Sequence, residues 1–158
     1  MLYFINGVRI VKFYEEKLTE TLENELIQLS ADWEAEQSCW GYVTNQREDL
    51  SGRRIFLAEE NGVICGYLFG LRETSEKRTS FMEAGTPYFE IEELYVIPER
   101  RSQGIGRQLF SFAEDTVRAE GLPYMMLGTA TKNARAILHF YLDEMDMTFW
   151  SARLFKKL

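Results

Sequence analysis

The chain has one histidine, two cysteines and three prolines among 158 residues. His139 is the only histidine, and Cys39 and Cys65 offer no metal-ligand spacing, so neither a metal site nor a histidine-based triad is expected. Two cysteines in a chain read as unsecreted are expected to stay reduced. No apolar run approaches the roughly 20 residues that span a bilayer. The opening Met1-Leu2-Tyr3-Phe4-Ile5-Asn6-Gly7-Val8-Arg9 lacks the basic, apolar and cleavage regions of a signal peptide. The expectation is therefore a cytoplasmic protein without a membrane partner. Positive charge is also scarce: 18 Lys and Arg against 25 Asp and Glu give a net charge of −7. Nucleic-acid binding needs a basic face and is not expected. The charge suits a cationic partner, although solubility is its commoner use. Repeats, low-complexity tracts and linkers are absent, and the length suits one domain over 1–158.

Val8 to Phe13 alternates as a strand does. Thr19 to Leu29 carries Leu22, Leu26 and Leu29 at helical spacing, with Thr19 or Thr21 as N-cap. Ala31 to Leu50 reads as a second helix and a loop. Arg54–Glu59 and Val63–Gly70 read as strands joined by Glu60-Asn61-Gly62, since Asn-Gly supplies the positive-φ residues of a tight hairpin. Arg72 to Gly85 reads as a polar, mobile connection. Tyr88 to Ile97 is a strong strand that stops at Pro98. A helix follows Gly104 and ends near Glu120, before Gly121 and Pro123. Tyr124 to Thr129 reads as a buried strand and Asn133 to Glu144 as a helix. Met147–Trp150 and Arg153–Phe155 suggest a closing strand pair or one bent strand. The alternation indicates an α/β or α+β domain, a mixed sheet covered by helices.

The most informative stretch is Arg101-Ser102-Gln103-Gly104-Ile105-Gly106, where a strand turns through two glycines into a helix. The first N–H groups of a helix lack intrahelical partners, and its dipole adds positive potential. Such a turn accepts phosphate. Gly104 and Gly106 permit close backbone approach, and Arg101 and Arg107 can add charge-assisted contacts. No Gly-Lys-Ser/Thr follows, which excludes a Walker loop. Leu109 stands where a dinucleotide-binding loop has its third glycine.

Val96 to Gly106 resembles the acyl-CoA-binding motif of the GNAT N-acetyltransferases, Gln/Arg-x-x-Gly-x-Gly/Ala at a helix start. Ile91-Glu92-Glu93-Leu94-Tyr95-Val96 is similar to the polyamine acetyltransferases of that family. The resemblance implies the acyl-CoA N-acyltransferase fold, a mostly antiparallel sheet with a V-shaped splay. It implies acetyl-CoA as co-substrate, with its pyrophosphate on the N–H groups of Gln103 to Arg107. Backbone groups of Leu94 and Val96, flanking Tyr95, would bind the pantetheine arm beside a strand bulge. The strands of Glu92 and of Tyr124 to Thr129 would splay to admit it. Asn133 and Ala136 match the family's Asn-x-x-Ala, whose Asn contacts the pantetheine arm. Phe140 occupies the place where the family's thiolate-protonating Tyr falls, and Tyr141 comes next. One residue is about 100° of helix rotation, so a local bulge in the helix is needed to bring Tyr141 into place.

An alkyl ammonium has a pKa near 10.4, so amine acetylation needs a base. Glu90, Glu92 and Glu93 are candidates. Strand alternation puts Glu90 and Glu92 on one face and Glu93 on the other. The family comparison ranks Glu92 first, Glu90 second and Glu93 third. Trp33, Trp40 and Tyr42 are either core packing or the wall of an acceptor pocket. Asp32, Glu34 and Glu36 suit either a solvated helix face or a cationic acceptor. The resulting expectation is acetyl transfer to the primary amine of a small cationic molecule by direct attack in a ternary complex. A protein N-terminus or lysine as acceptor, and a non-catalytic acetyl-CoA-binding module, are the alternatives. The resemblance also permits a homodimer.

Overall fold

The computed structural model describes residues 10–158. Val8 and Arg9, included in the first expected strand, lie outside that range. Strand β1 is Val11–Glu16, and helices α1 (Glu20–Glu36) and α2 (Arg47–Leu50) follow. Next come β2 (Arg54–Glu60), β3 (Val63–Thr74) and β4 (Pro87–Val96). A single 3₁₀ turn, Pro98–Arg100, leads to α3 (Ile105–Ala119), β5 (Met125–Leu127) and α4 (Ala134–Leu138), which continues as a π-helical turn over His139–Glu144. The five strands lie in sequence order, antiparallel from β1 to β4, with β5 parallel to β4.

Two apolar cores sandwich the sheet. On one face Phe56, Leu68, Phe89 and Ile91 pack with Leu109, Phe110 and Val117 of α3 and with Tyr141. On the other, Ile55, Leu57, Tyr67, Phe69 and Tyr95 pack with Leu22 and Leu26 of α1 and Leu50 of α2. These alternating residues explain the strands' burial on both sides.

Thr19 caps α1 by accepting from the Leu22 N–H at 3.2 Å, so the cap is Thr19 and not Thr21. The helix runs unbroken to Glu36, because Leu26, Ser30 and Trp33 continue its inward face. The expected second helix over Ala31 to Leu50 is thus the end of α1, a loop and the single turn of α2. Asn61 (φ 54°) and Gly62 (φ 80°) make the expected hairpin. Arg72, Glu73 and Thr74, expected in a mobile connection, extend β3 because they find partners in Phe89, Tyr88 and Pro87.

Two of the expected strand assignments need correction. The strand over Tyr124 to Thr129 shrinks to Met125–Leu127 and is half-buried. The closing strands at Met147–Trp150 and Arg153–Phe155 do not form. A three-residue β5 offers too few ladder groups to organise them. Their aromatic rings instead meet others edge-on, Phe155 on Trp40 and Trp150 on Phe81, with centroids 5.4 and 5.0 Å apart.

Candidate active site

The site is built at an irregularity in β4. Pairing with β3 shifts register between Phe69 and Gly70, so that Phe69 faces Glu93 and Gly70 faces Ile91, leaving Glu92 as the extra residue of a bulge. Period-two alternation breaks there. Ile91 and Leu94 both pack on the α3 side. Glu93 therefore turns toward α1 with Glu90, and the expected opposition of Glu90 and Glu93 is wrong.

Two glycines of β3 allow this approach. A Cβ at Gly70 would overlap the Glu90 carbonyl oxygen and lie 3.0 Å from its carbon and 3.1 Å from Ile91 Cα. A Cβ at Gly66 would lie 3.0 Å from the Tyr95 oxygen. Gly70 is a site residue that the motif reading passed over; a glycine inside an apolar strand was its signal.

Beyond the bulge β4 has an open edge. Its pairing with β5 covers only Phe89, Glu90 and Ile91. The Ile97 N–H donates to the Cys65 oxygen at 3.0 Å, which makes Val96 and Gly66 a non-hydrogen-bonded pair. The Val96 N–H and C=O consequently point away from β3, into the gap beside β5, and by alternation so do those of Leu94. Tyr95 points its backbone groups at β3 and its ring at α1. The gap leads to the glycine turn. Ser102 (φ 59°) and Gly104 (φ 80°) are left-handed, which brings the chain sharply into α3. The N–H groups of Ile105, Gly106 and Arg107 in its first turn have no intrahelical acceptor. A Cβ at Gly106 would sit 3.7 Å from Val96 and 3.8 Å from Phe140, so the helix start packs close to both β4 and the π-helical turn.

Arg107 is exposed beside the turn. Arg101 is turned away from it. Its Nε donates to the Val96 oxygen at 2.8 Å, and its two Nη atoms donate to Glu36 at 2.8 and 2.7 Å. Gln103 bonds back to the Glu99 oxygen at 3.1 Å. Asn133 caps α4, accepting from the Ala136 N–H at 3.3 Å, and Ala136 itself is exposed.

The three carboxylates of β4 have different surroundings. Glu92 lies in the fork of Arg53, accepting from Nε at 2.7 Å and Nη2 at 3.0 Å. Glu93 is deeper: one oxygen accepts from Tyr67 at 2.8 Å, Asn45 at 3.0 Å and Tyr42 at 3.2 Å. Burial pushes its pKa up, and these three donors work against that rise. Since Tyr42 gives its one proton to Glu93, Ser30, 2.8 Å away, donates to Tyr42 and accepts from the Asn45 N–H at 2.8 Å. Glu90 is half-buried, and no donor to its carboxylate is found among the described residues. Burial raises its pKa, and the charges of Glu92 and Glu73 raise it further.

Above them Trp33 packs on Tyr42 and Tyr95, with centroids 4.3 and 5.2 Å apart. Trp33, Glu34, Ser38, Trp40, Tyr42 and Lys132 help line a cavity of about 430 Å³. Glu34 is held by Thr44, which lowers its pKa. Burial works to raise the pKa of Glu36, but Arg101 and Tyr95 outweigh it and hold it low.

Tyr141 sits inside the π-helical turn. The Met145 N–H donates to the Phe140 oxygen five residues back, at 3.0 Å, so the helix takes up one extra residue there. Tyr141 is 9% exposed and packs against Phe110 and Phe140. Burial, aided by Cys39, pushes its pKa up to about 12, and the phenol stays protonated at neutral pH.

The family profile described as the acetyltransferase (GNAT) family matches residues 11–145. The L-methionine sulfoximine/L-methionine sulfone acetyltransferase of Salmonella typhimurium is 32% identical over 99 residues, 61% of this chain. The matched part spans 53% of that relative's length. Among solved structures, an aminoglycoside acetyltransferase from an uncultured soil metagenomic sample has a TM-score of 0.65 at 21% identity, covering 94% of this chain and 96% of that one. An aminoglycoside N-acetyltransferase in complex with CoA has a TM-score of 0.66 at 16% identity, covering 98% and 99%.

Proposed function

Because the chain belongs to the GNAT acetyltransferase family, we propose that it transfers an acetyl group from acetyl-CoA to the primary amine of a small molecule. The observation that carries this reading is the open edge of β4. Leu94 and Val96 turn backbone groups that β3 does not pair into a gap that ends at the free N–H groups of α3, while Glu90 lies on the α1 face of the same strand. These groups suit the parts of acetyl-CoA. The first N–H groups of α3, with Ser102 to Arg107 around them, would hold the pyrophosphate. Leu94 and Val96 would hold the pantetheine arm by strand-like hydrogen bonds. The Val96 N–H is open, whereas its oxygen is engaged by Arg101.

Acetyl-CoA supplies the activated acyl group. The chain's own groups bind, orient and move protons. Glu90 accepts the ammonium proton, directly or through a water. The neutral nitrogen attacks the thioester carbon; the C–N bond forms, the C–S bond breaks, Tyr141 protonates the departing thiolate, and the second proton shed by the nitrogen restores the phenol through solvent. Backbone N–H groups at the bulge oppose the charge that develops on the carbonyl oxygen. Glu92 is second to Glu90 here because both its oxygens already serve Arg53, which reverses the order suggested by family comparison.

An acceptor panel tests the reaction class: acetyl-CoA consumption with L-methionine sulfone, spermidine, an aminoglycoside and an N-terminal peptide. Turnover with a small amine is expected. Acetyl-CoA binding without turnover on any of them would leave a binding module instead. In the same assay Tyr141→Phe is expected to lower kcat about 10²-fold, the low end of what a positioned proton donor contributes. The phenol makes no intrachain hydrogen bond among the described residues, so the fold should be retained. An unchanged kcat would make Tyr141 a packing residue, with water or another group protonating the thiolate.

A further inference from the structure

The carboxylate best placed at the bulge is neutralised. Arg53 holds both oxygens of Glu92, and its remaining Nη donates to the Ser51 oxygen at 3.1 Å. The pair is not deep: the two side chains are 26% and 30% exposed, so water reaches it. Its exchange for another ion pair costs less desolvation than that of a fully buried one. A guanidinium fork receives any carboxylate in the same two-point geometry. Another carboxylate entering from solvent can therefore take Glu92's place.

The surroundings define what else that molecule carries. Glu73 and Glu92 are charge neighbours both of Arg53 and of Glu90. Arg54 pairs with Gly70 and Leu71 with Glu90, so Arg53 and Glu90 fall in one cross-strand row on either side of Leu71. Three other acids of this face are committed: Glu34 to Thr44, Glu36 to Arg101 and Tyr95, Glu93 to Tyr42, Tyr67 and Asn45.

We infer that Arg53 is the specificity-determining residue for the acceptor, which carries a carboxylate beside its primary amine, as an amino acid derivative does. Its carboxylate displaces Glu92 from the Arg53 fork, and its ammonium lies between Glu90 and the released Glu92. The exchange makes and breaks only ion pairs. The proton that the amine sheds before attack goes to one of these two glutamates. A correct acceptor thereby completes the base pair, and an amine without a carboxylate leaves Glu92 locked.

This inference rests on the acetyl-transfer reading, and its test separates the two. The full chain is assayed with L-methionine sulfone and with its carboxamide, next to spermidine and an aminoglycoside. The wild type is expected to favour the carboxylate over the carboxamide by about 10-fold or more in kcat/KM, as a lost charged hydrogen-bond pair implies. Arg53→Gln should collapse that ratio toward one, mainly through KM for the carboxylated acceptor. A purely structural defect would lower both substrates together and keep the ratio, which would overturn the assignment. Preference for spermidine or the aminoglycoside would also overturn it while leaving acetyl transfer intact. Turnover of no amine at all would sink both.

Discussion

Gly70→Ala is expected to be the most damaging single-methyl change in the described chain. The added Cβ would overlap the Glu90 carbonyl oxygen and press on Ile91 Cα. Backbone cannot rotate aside as a side chain can, so relief requires β4 to leave the bulge. Overpacking a core typically costs about 1–3 kcal/mol, and a clash with the backbone of the neighbouring strand belongs at or above the top of that range. For a domain of this size about 3 kcal/mol lowers Tm by roughly 6–12 °C. Gly128→Ala is the control. Nothing lies within 4 Å of its Cβ, and a change within about 0.5 kcal/mol is expected.

Activity should fall further than stability. If the sheet survives by removing the bulge, β4 slips by one residue beyond Ile91, and a one-residue slip exchanges the faces. Glu93 would leave Tyr42, Tyr67 and Asn45, and the backbone groups of Leu94 and Val96 would turn from the gap toward β3. Thermal unfolding and acetyl-transfer rates measured on both variants check this. A Gly70→Ala protein with wild-type Tm and wild-type turnover would mean that the bulge is neither tight nor needed.

The same bulge marks the limit of what the sequence discloses. The hairpin at Asn61-Gly62, the stop at Pro98 and the left-handed Gly104 are set by local backbone chemistry, and each is legible in two or three residues. The π-helical turn is legible for a different reason: Phe140 stands one residue before Tyr141, and a helix has to absorb that residue somewhere. The bulge is not local. It depends on Gly70 and Glu90 meeting across two strands, and regular alternation misassigns Glu93 as a result. Arg101 shows the same limit. Beside a glycine turn it reads as a phosphate contact, whereas its strongest partner is Glu36, at the far end of α1. The fork of Arg53 on Glu92 likewise joins the start of β2 to the middle of β4. The tail fails in the opposite direction. Its alternation suits a strand, but β5 is too short to pair with it.

Glu90→Gln is expected to separate activity from stability, with opposite signs. As the base, Glu90 must be ionised, so kcat/KM in the wild type should rise with pH through a pKa above the usual glutamate value of about 4.3. Burial produces that elevation, and Glu92 and Glu73 add to it. Glutamine abolishes the titration, flattens that limb and should lower the plateau by about 10²-fold or more. Stability runs the other way. A carboxyl whose folded pKa is raised favours the fold most when it is protonated. That contribution is complete below the ordinary value and is lost as pH rises through the raised one. At neutral pH the half-buried charge is a cost, and Glu90→Gln removes it. The variant should thus unfold at a denaturant concentration equal to or above the wild type's at pH 7, and its advantage should shrink as pH falls toward the ordinary glutamate range. Urea midpoints at several pH values, paired with the pH–rate profile, read both signs. Loss of activity together with loss of stability would identify Glu90 as a structural prop and move the base to Glu92, whose release from Arg53 would then be obligatory for turnover.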